Sequence, residues 1–466
     1  MSLRFYNSLT QQVEPFTSQD GLTVRMYSCG PTVYNYAHIG NLRTFTFNDI
    51  LRRWLRVRGF VLNDVMNITD VDDKIIRNAM AKGMTLEEYT RIYEKAFLDD
   101  IGSMRLTPPW KLVRATEHIP EMVEAIETLA QKGYTYASEG STYFRIANFD
   151  GYGKLSHNDF SGIRAGARVD VDEYDKADAR DFVLWKLRKD DEPFWDTPLG
   201  KGRPGWHIEC SAMAMKYLGA TLDIHVGGVD LMFPHHENEI AQSEAVTGQT
   251  FARFWLHSEH LLMDWSKMSK SAGNMYTLRD IVAMGYSPES LRYMLAAVPY
   301  RKKLNFSFDG LTGAAQSIER LRNYALRLKT DRYPEGVNEH FVTRAGEALT
   351  QFDEAMDDDL NTAEALGAAF EYIRETNIAM DAGEFKAGNI ASAQTLLARV
   401  DAVFDVIEVA RGEGALAGDA IDKLVAERTL AKKQKNFARA DEIRQSLLDQ
   451  GIVLEDTKDG VRWKRK

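Results

Sequence analysis

The chain has 466 residues, 44% hydrophobic and 27% charged, the balance of a soluble globular protein with room for more than one core. Lys and Arg total 58 against 68 Asp and Glu, and the net charge of −10 argues against a nonspecific nucleic-acid coat. No apolar run approaches the roughly 20 residues that span a bilayer, and no basic patch with an apolar stretch opens the chain, so a cytoplasmic protein without membrane association is expected.

Residues 22–29 (LTVRMYSC) read as a buried strand closed by Gly30-Pro31. A helix is predicted over about 40–58, because Phe47, Ile50, Leu51, Trp54 and Leu55 recur at helical spacing and Gly59 is placed to end it. Residues 60–68 read as a second strand, which completes a βαβ unit and implies a parallel sheet. From about 120 to 200 the rhythm breaks. A helix over 120–132, a short strand over 141–146 and a Gly- and Asp-rich stretch to about 181 read as a module inserted at one edge of the sheet. The α/β pattern resumes with a strand over 222–226, a helix over 234–246 and a strand over 254–263.

From 278 to about 406 no strand is evident, and a helical bundle is expected. Residues 408–419 (EVARGEGALAGD) read as a linker. A basic helix over 420–450 and a hairpin-like end follow. There Arg462 and Trp463 are placed to contact bases, and Trp463 is equally placed to anchor the hairpin. The only two cysteines, Cys29 and Cys210, lie too far apart in a cytosolic-type chain to suggest a structural disulfide. They are either buried inert thiols or metal ligands.

Four segments carry chemistry. His38-Ile39-Gly40-Asn41 stands at a predicted helix start, where free N–H groups and a partial positive charge favour a phosphate. Gly40 lets a flat ligand lie against the backbone, and His38 can donate to a phosphate oxygen; a plain capping loop is the alternative. Lys267-Met268-Ser269-Lys270-Ser271 sets two lysines beside small residues, which suits a leaving pyrophosphate and equally a solvated basic loop. The two motifs at opposite ends of one α/β sheet favour a ligand site beyond the carboxyl ends of the strands.

In Pro234-His235-His236-Glu237-Asn238-Glu239, His235 and Glu239 are four apart and share a helix face. That spacing suits metal ligation and equally suits polar residues on an ordinary helix surface. Joined by Cys29 and Cys210, the set of two thiolates, an imidazole and a carboxylate would suit zinc. The fourth segment, DIHVGGVD over 223–230, ends a strand with Gly227 and Gly228, which allow close ligand approach. Asp230 could accept from a ribose hydroxyl there, or the segment is a simple turn.

The strings YSCGPTVYNYAHIGN, NITDVDDKII, GARVD, DFVLWK, GRPGWHIECSAM, DLMFPHHENEIAQSE, KMSKSAGN, MDDDLNT and a terminal GIVLED…W occur in this order. On these the chain closely resembles, end to end, the bacterial cysteinyl-tRNA synthetases among the class I aminoacyl-tRNA synthetases. The resemblance implies an α/β fold with a Rossmann-like parallel-sheet catalytic domain (1–119 and 201–277) and an inserted connective module (120–200). A connecting fold and helical bundle (278–407), the linker (408–419) and a small C-terminal α+β anticodon-binding domain (420–466) would follow.

It further implies ATP- and Mg²⁺-dependent activation of L-cysteine and transfer to tRNA(Cys) by a cytoplasmic monomer. His38, Asn41, Lys267 and Lys270 would be catalytic, and His38, Gly40 and Lys270 would bind the ATP, with Lys270 the main phosphate contact. Gly228 and Asp230 would line the adenylate pocket, and Trp206 and Cys29 would meet the amino acid. One Zn²⁺ on Cys29, Cys210, His235 and Glu239 would select the cysteine thiolate. Two departures stand out: Asn41 replaces the usual final His of its motif, and Val226 replaces a glycine of the common DIHGGG. A cysteine ligase of the mycothiol-pathway type shares the core, but it has no use for the basic unit beyond about 420. A non-catalytic paralogue would not need intact His38, Lys267 and Lys270, and a zinc hydrolase lacks its free general base.

Overall fold

The computed structural model describes residues 2–158, 181–189, 192–263, 265–267, 274–408, 418–457 and 460–465. Two compact units emerge, one of 1–312 with 354–363 and one of 313–353 with 364–466.

The first unit opens with a hairpin, β1 (Arg4–Asn7) and β2 (Gln12–Pro15). β3 (Thr23–Ser28) leads through Cys29 to α1 (Ile39–Val57), and β4 (Val61–Ile68) returns parallel to β3 with Thr23 opposite Val61. This is the predicted βαβ unit. The apolar stripe of α1 is its buried face, and Gly59 in the left-handed region (φ +88°) turns the chain out of it. α2 (Asp73–Ala81) and α3 (Leu86–Ser103) start at the side-chain caps Asp72 and Thr85. β5 (Lys111–Arg114) and α4 (Ile119–Gln131) follow.

Strands β6 (Thr135–Ser138), β7 (Ser141–Phe144), β8 (Phe182–Leu187), β9 (Trp195–Thr197) and β10 (Gly200–Pro204) form a separate antiparallel sheet, order β6-β7-β8-β10-β9. The chain then regains the central sheet through α5 (Trp206–Leu218), β11 (Leu222–Gly228), α6 (Glu237–Thr247) and β12 (Ala252–Ser258). That sheet is parallel throughout, in the order β12-β11-β3-β4-β5. The chain leaves β3 toward β4 and comes back on the other side of β3 as β11. The crevice between β3 and β11 is therefore the place where strand order reverses, the usual ligand position in such sheets.

Three local expectations change. Residues 254–263 are not one strand, because β12 stops at Ser258 and β13 (Leu261–Met263) joins a second sheet with β14 (Ser266–Lys267) and β15 (Leu304–Phe306). β15 itself lies where only helices were expected; three residues are too few to interrupt the surrounding helical periodicity, and pairing with β13 makes them a strand. The helix expected over 234–246 becomes regular only at Glu237. Met232–His236 form a wide turn with Phe233 outside helical angles (φ −136°, ψ 132°). Pro234 has no N–H with which to extend a helix backward. α7 (Leu278–Ala283) and α8 (Pro288–Ala296) complete this unit.

The second unit holds most of α9 (Phe308–Thr330), with α10 (Glu339–Asp357), α11 (Thr362–Ala382) and α12 (Ile390–Phe404). Tyr324, Phe352, Tyr372, Val400 and Phe404 are buried among its helices. The stretch 409–417 of the expected linker, like the GARVD string, lies outside the described residues. α13 (Gly418–Lys433) and α14 (Phe437–Asp449) replace the single helix expected over 420–450. Lys435 takes a left-handed φ of +59°, and the Asn436 side chain caps α14. A hairpin of β16 (Ile452–Thr457) and β17 (Gly460–Arg465) packs with them on a small core of Ile421, Ile443, Leu447, Ile452 and Leu454. Trp463 lies against this core and its Nε1 donates to Asp422 at 2.7 Å, so it anchors the hairpin.

Candidate metal centre and nucleotide-binding loops

Cys29 sits just past the end of β3, and α5 carries Cys210. The wide turn and α6 present His235 and Glu239 to the same point. All four side chains are buried, and one ligand atom from each lies within 4.8 Å of the others. The two sulfurs are 4.0 Å apart, Cys29 Sγ is 3.6 Å from Glu239 Oε1, and that oxygen is 3.0 Å from His235 Nε2. A tetrahedral zinc with bonds of about 2.0–2.3 Å needs ligand separations of about 3.3–3.8 Å, so this set fits the ion with small adjustments.

A ring of histidines surrounds the four. His207 Nδ1 faces His235 Nδ1 at 2.8 Å, which leaves His235 Nε2 turned toward Glu239. His225 Nε2 meets the other carboxylate oxygen, Oε2, at 2.8 Å. His236 Nε2 lies 3.4 Å from Cys29 Sγ; its Nδ1 meets His257 at 2.9 Å, and His257 reaches the Ser8 hydroxyl at 2.8 Å. Such partners fix ring orientation and ligand basicity at metal sites. Cys29, Glu239, His225 and His236 form a second possible ligand set. Both sets are buried; the partly exposed Trp206 stacks on His235 of the first at 4.1 Å.

Of the four groups, Cys210 and Glu239 favour their ligating forms, Cys29 and His235 their protonated ones. The hydrogen bond with Cys29 brings the Cys210 thiol down to about 6 against the opposing effect of burial. Burial pushes the Cys29 thiol well up. At His235 burial favours the neutral ring, but the charges of Glu239 and Cys210 outweigh it and raise the imidazole to about 10. Burial likewise opposes ionisation of Glu239, yet His225 and His235 hold its carboxyl well below the usual range. Burial drives His236 well below the ordinary imidazole value, and takes His257 down to about 3.

His38 is the N-cap of α1. Its Nδ1 accepts from the Asn41 N–H and its own N–H donates to Asn41 Oδ1, both at 3.2 Å. Asparagine at 41 thus closes a reciprocal capping box. The Ile39 N–H donates to the Tyr276 carbonyl at 2.9 Å, and His38 bridges Thr277, just beyond the KMSKS segment. The backbone therefore holds the start of α1 against Tyr276 and Thr277. Lys267 lies in β14, while Lys270 and the rest of 268–273 fall outside the described residues.

Gly228 ends β11 under the Asp230 carboxylate, whose oxygen would stand 2.5 Å from a side-chain carbon placed there. At Gly30, such a carbon would lie 1.6 Å from the Asn67 carbonyl oxygen, so no other residue fits beside Cys29. The sequence did not single out Ser8, His207, His225, His236 or His257. Three of them, His207, His225 and His236, stand in the quoted segments, but no spacing rule separates an orienting histidine from a ligand.

Residues 15–316 match the family described as tRNA synthetases class I (C) catalytic domain, and 351–408 match the DALR domain. The cysteine--tRNA ligase of Solibacter usitatus (strain Ellin6076) is 63% identical over 466 residues, covering 100% of both chains. The chain belongs to the cysteine--tRNA ligase family. The cysteine--tRNA ligase of Koribacter versatilis (strain Ellin345) is 51% identical over 496 residues, again covering 100% of each chain. The methionyl-tRNA synthetase of Mycobacterium tuberculosis in complex with methionyl-adenylate shares the fold, with a TM-score of 0.61 at 14% identity over 83% of this chain and 90% of that one. The chain thus carries a class I catalytic domain on a Rossmann-like sheet. The DALR match falls in α10 to α12, outside the 420–466 unit. No helix among the described residues is long and apolar enough to cross a membrane.

Proposed function

We propose that the protein condenses L-cysteine with Mg²⁺-accompanied ATP to cysteinyl-adenylate and passes the cysteinyl group to tRNA(Cys), with Zn²⁺ held by Cys29, Cys210, His235 and Glu239. The observation that carries this reading is the buried four-residue cluster at the β3–β11 crevice with Trp206 stacked on its His235. Cysteine and serine differ by one atom, and size alone separates such substrates by about 1–3 kcal/mol. When bound, zinc supplies a soft Lewis acid that ranks a thiolate above a hydroxyl.

In the first step a carboxylate oxygen of cysteine attacks the α-phosphorus in line, and pyrophosphate leaves with the electrons of the broken P–O bond. The protein's part is positioning and charge. The start of α1, with His38 and the small Gly40, favours phosphate there. Lys267 and Lys270 serve the departing pyrophosphate, and Gly228 and Asp230 border the nucleoside. Trp206 flanks the amino acid against the metal centre. In the second step a terminal ribose hydroxyl of the tRNA attacks the adenylate carbonyl and AMP leaves.

The 420–466 unit reads the anticodon, and the enzyme works as a cytoplasmic monomer. Purified protein supplied with a tRNA pool, ATP and Mg²⁺ is expected to charge labelled cysteine and not labelled serine. Charging of serine at a comparable rate would overturn metal-based selection, and no charging of either would overturn the reading as a whole.

A further inference from the structure

Tyr27 is completely buried in β3, and none of the chemistry above uses it. It stands two residues before Cys29 in an extended chain, so the two side chains leave the same face of the sheet. On that face Tyr27, Cys29 and Cys210 pack in one core cluster with residues of α5. The register partner of Tyr27 in β11 is His225, and the two rings meet at 5.4 Å, tilted by 53°. His225 in turn meets the Glu239 carboxylate at 2.8 Å. The ring of Tyr27 therefore backs the histidine that supports one of the four metal-binding side chains.

The hydroxyl is harder to account for. Its oxygen is fully covered, and among the described residues no hydrogen bond of good geometry takes it up. A buried phenol normally has a partner. Phenylalanine would fill the same space and leave nothing to satisfy. The polar groups that act on the hydroxyl are, strongest first, Cys210, Cys29 and Glu239, and Cys210 is also a hydrogen-bonding neighbour. A neutral thiol is a weak acceptor, whereas a thiolate carries charge and accepts strongly. The hydroxyl thus suits Cys210 in its charged, ligating form, and at neutral pH a phenol can only donate to it.

We propose that Tyr27 is a positioning residue of the metal centre: its hydroxyl donates to the Cys210 thiolate while its ring backs His225 behind Glu239, so that one side chain orients two of the four zinc ligands. Partners of this kind fix the direction and basicity of a ligand, and losing one typically costs about 10- to 100-fold in metal affinity or activity. The inference rests on the zinc assignment in the function proposed above.

The test compares wild type with Tyr27→Phe, which keeps the ring and its volume. Three quantities are measured: the sulfur-to-cobalt charge-transfer band of the protein loaded with Co²⁺ in place of zinc, the Kd for zinc in competition with a chromophoric chelator, and the melting temperature of the metal-free protein. A thiolate that loses a hydrogen bond holds its electrons less tightly, so the charge-transfer band should move to longer wavelength. The zinc Kd should rise at least about tenfold. Metal-free melting should be unchanged or higher, because a buried hydroxyl without a partner has been removed, and this also reports an intact fold. A Tyr27 that merely fills space would move neither the band nor the Kd, and that result would overturn the proposal. A wild type that binds Co²⁺ without any sulfur-to-cobalt band would instead overturn the zinc assignment itself.

Discussion

Glu237 gives a sharp test of how α6 is secured. The carboxylate is fully buried, and both oxygens are used by one loop. Oε1 accepts from the Gly153 N–H at 2.9 Å, and Oε2 accepts from Leu155 at 3.1 Å and Ser156 at 2.8 Å. Glu237→Gln keeps the shape but turns one acceptor into a donor, so at least one loop N–H then faces another N–H. Hydrogen bonds to charged groups contribute about 1.5–3 kcal/mol, and an orphaned buried donor costs about 1–3 kcal/mol. A local loss of about 2–4 kcal/mol follows, which at 1.36 kcal/mol per decade is roughly 30- to 900-fold. Amide hydrogen exchange at Gly153, Leu155 and Ser156 should accelerate by that factor. The Tyr152–Asn238 and Lys154–Glu244 contacts keep the loop near α6, so global melting should move little. Unchanged protection at all three amides would refute the reasoning.

Cys210→Ser should lower zinc content and raise KM for cysteine together; full zinc with normal cysteine KM, measured by atomic absorption and exchange kinetics, would contradict the ligand assignment. Because Cys29 and His235 favour their protonated forms and the Cys210 thiol regains its proton near 6, zinc retention in dialysis should weaken progressively as pH falls and more steeply below about pH 6. Gly30→Ala forces a carbon to 1.6 Å from the Asn67 carbonyl oxygen, so the backbone beside Cys29 must move. Both zinc affinity and cysteine activation should fall at least about tenfold, as 1.4 kcal/mol of misplacement already would, whereas a variant with normal metal content would show the loop to be slack.

The βαβ unit around α1 was legible because Phe47, Ile50, Leu51, Trp54 and Leu55 bury one continuous face. The pairing of His235 with Glu239 was also legible, since a four-residue spacing survives the irregular turn before α6. What the sequence concealed was long-range. Nothing local in Leu304–Phe306 announces a strand, because its identity comes from pairing with Leu261–Met263. Lys435 looks like one more helical lysine until its left-handed backbone separates α13 from α14. The histidine ring was hidden for the same reason. His207, His225 and His257 come from three different elements and acquire their roles only when β11, β12 and α5 assemble.

The two oxygens of Glu239 have a consequence for the life of the centre. One faces His235 and the other His225, so both oxygens of the buried carboxylate have a hydrogen-bonding partner before any ion arrives. Small zinc domains rely on the metal to fold at all. Here the cavity is already assembled by a carboxylate–imidazole lattice and by the sheet beneath it. Chelation should therefore yield an inert but intact protein, with its circular dichroism unchanged, and added zinc should restore activity at the pace of ion entry rather than of refolding.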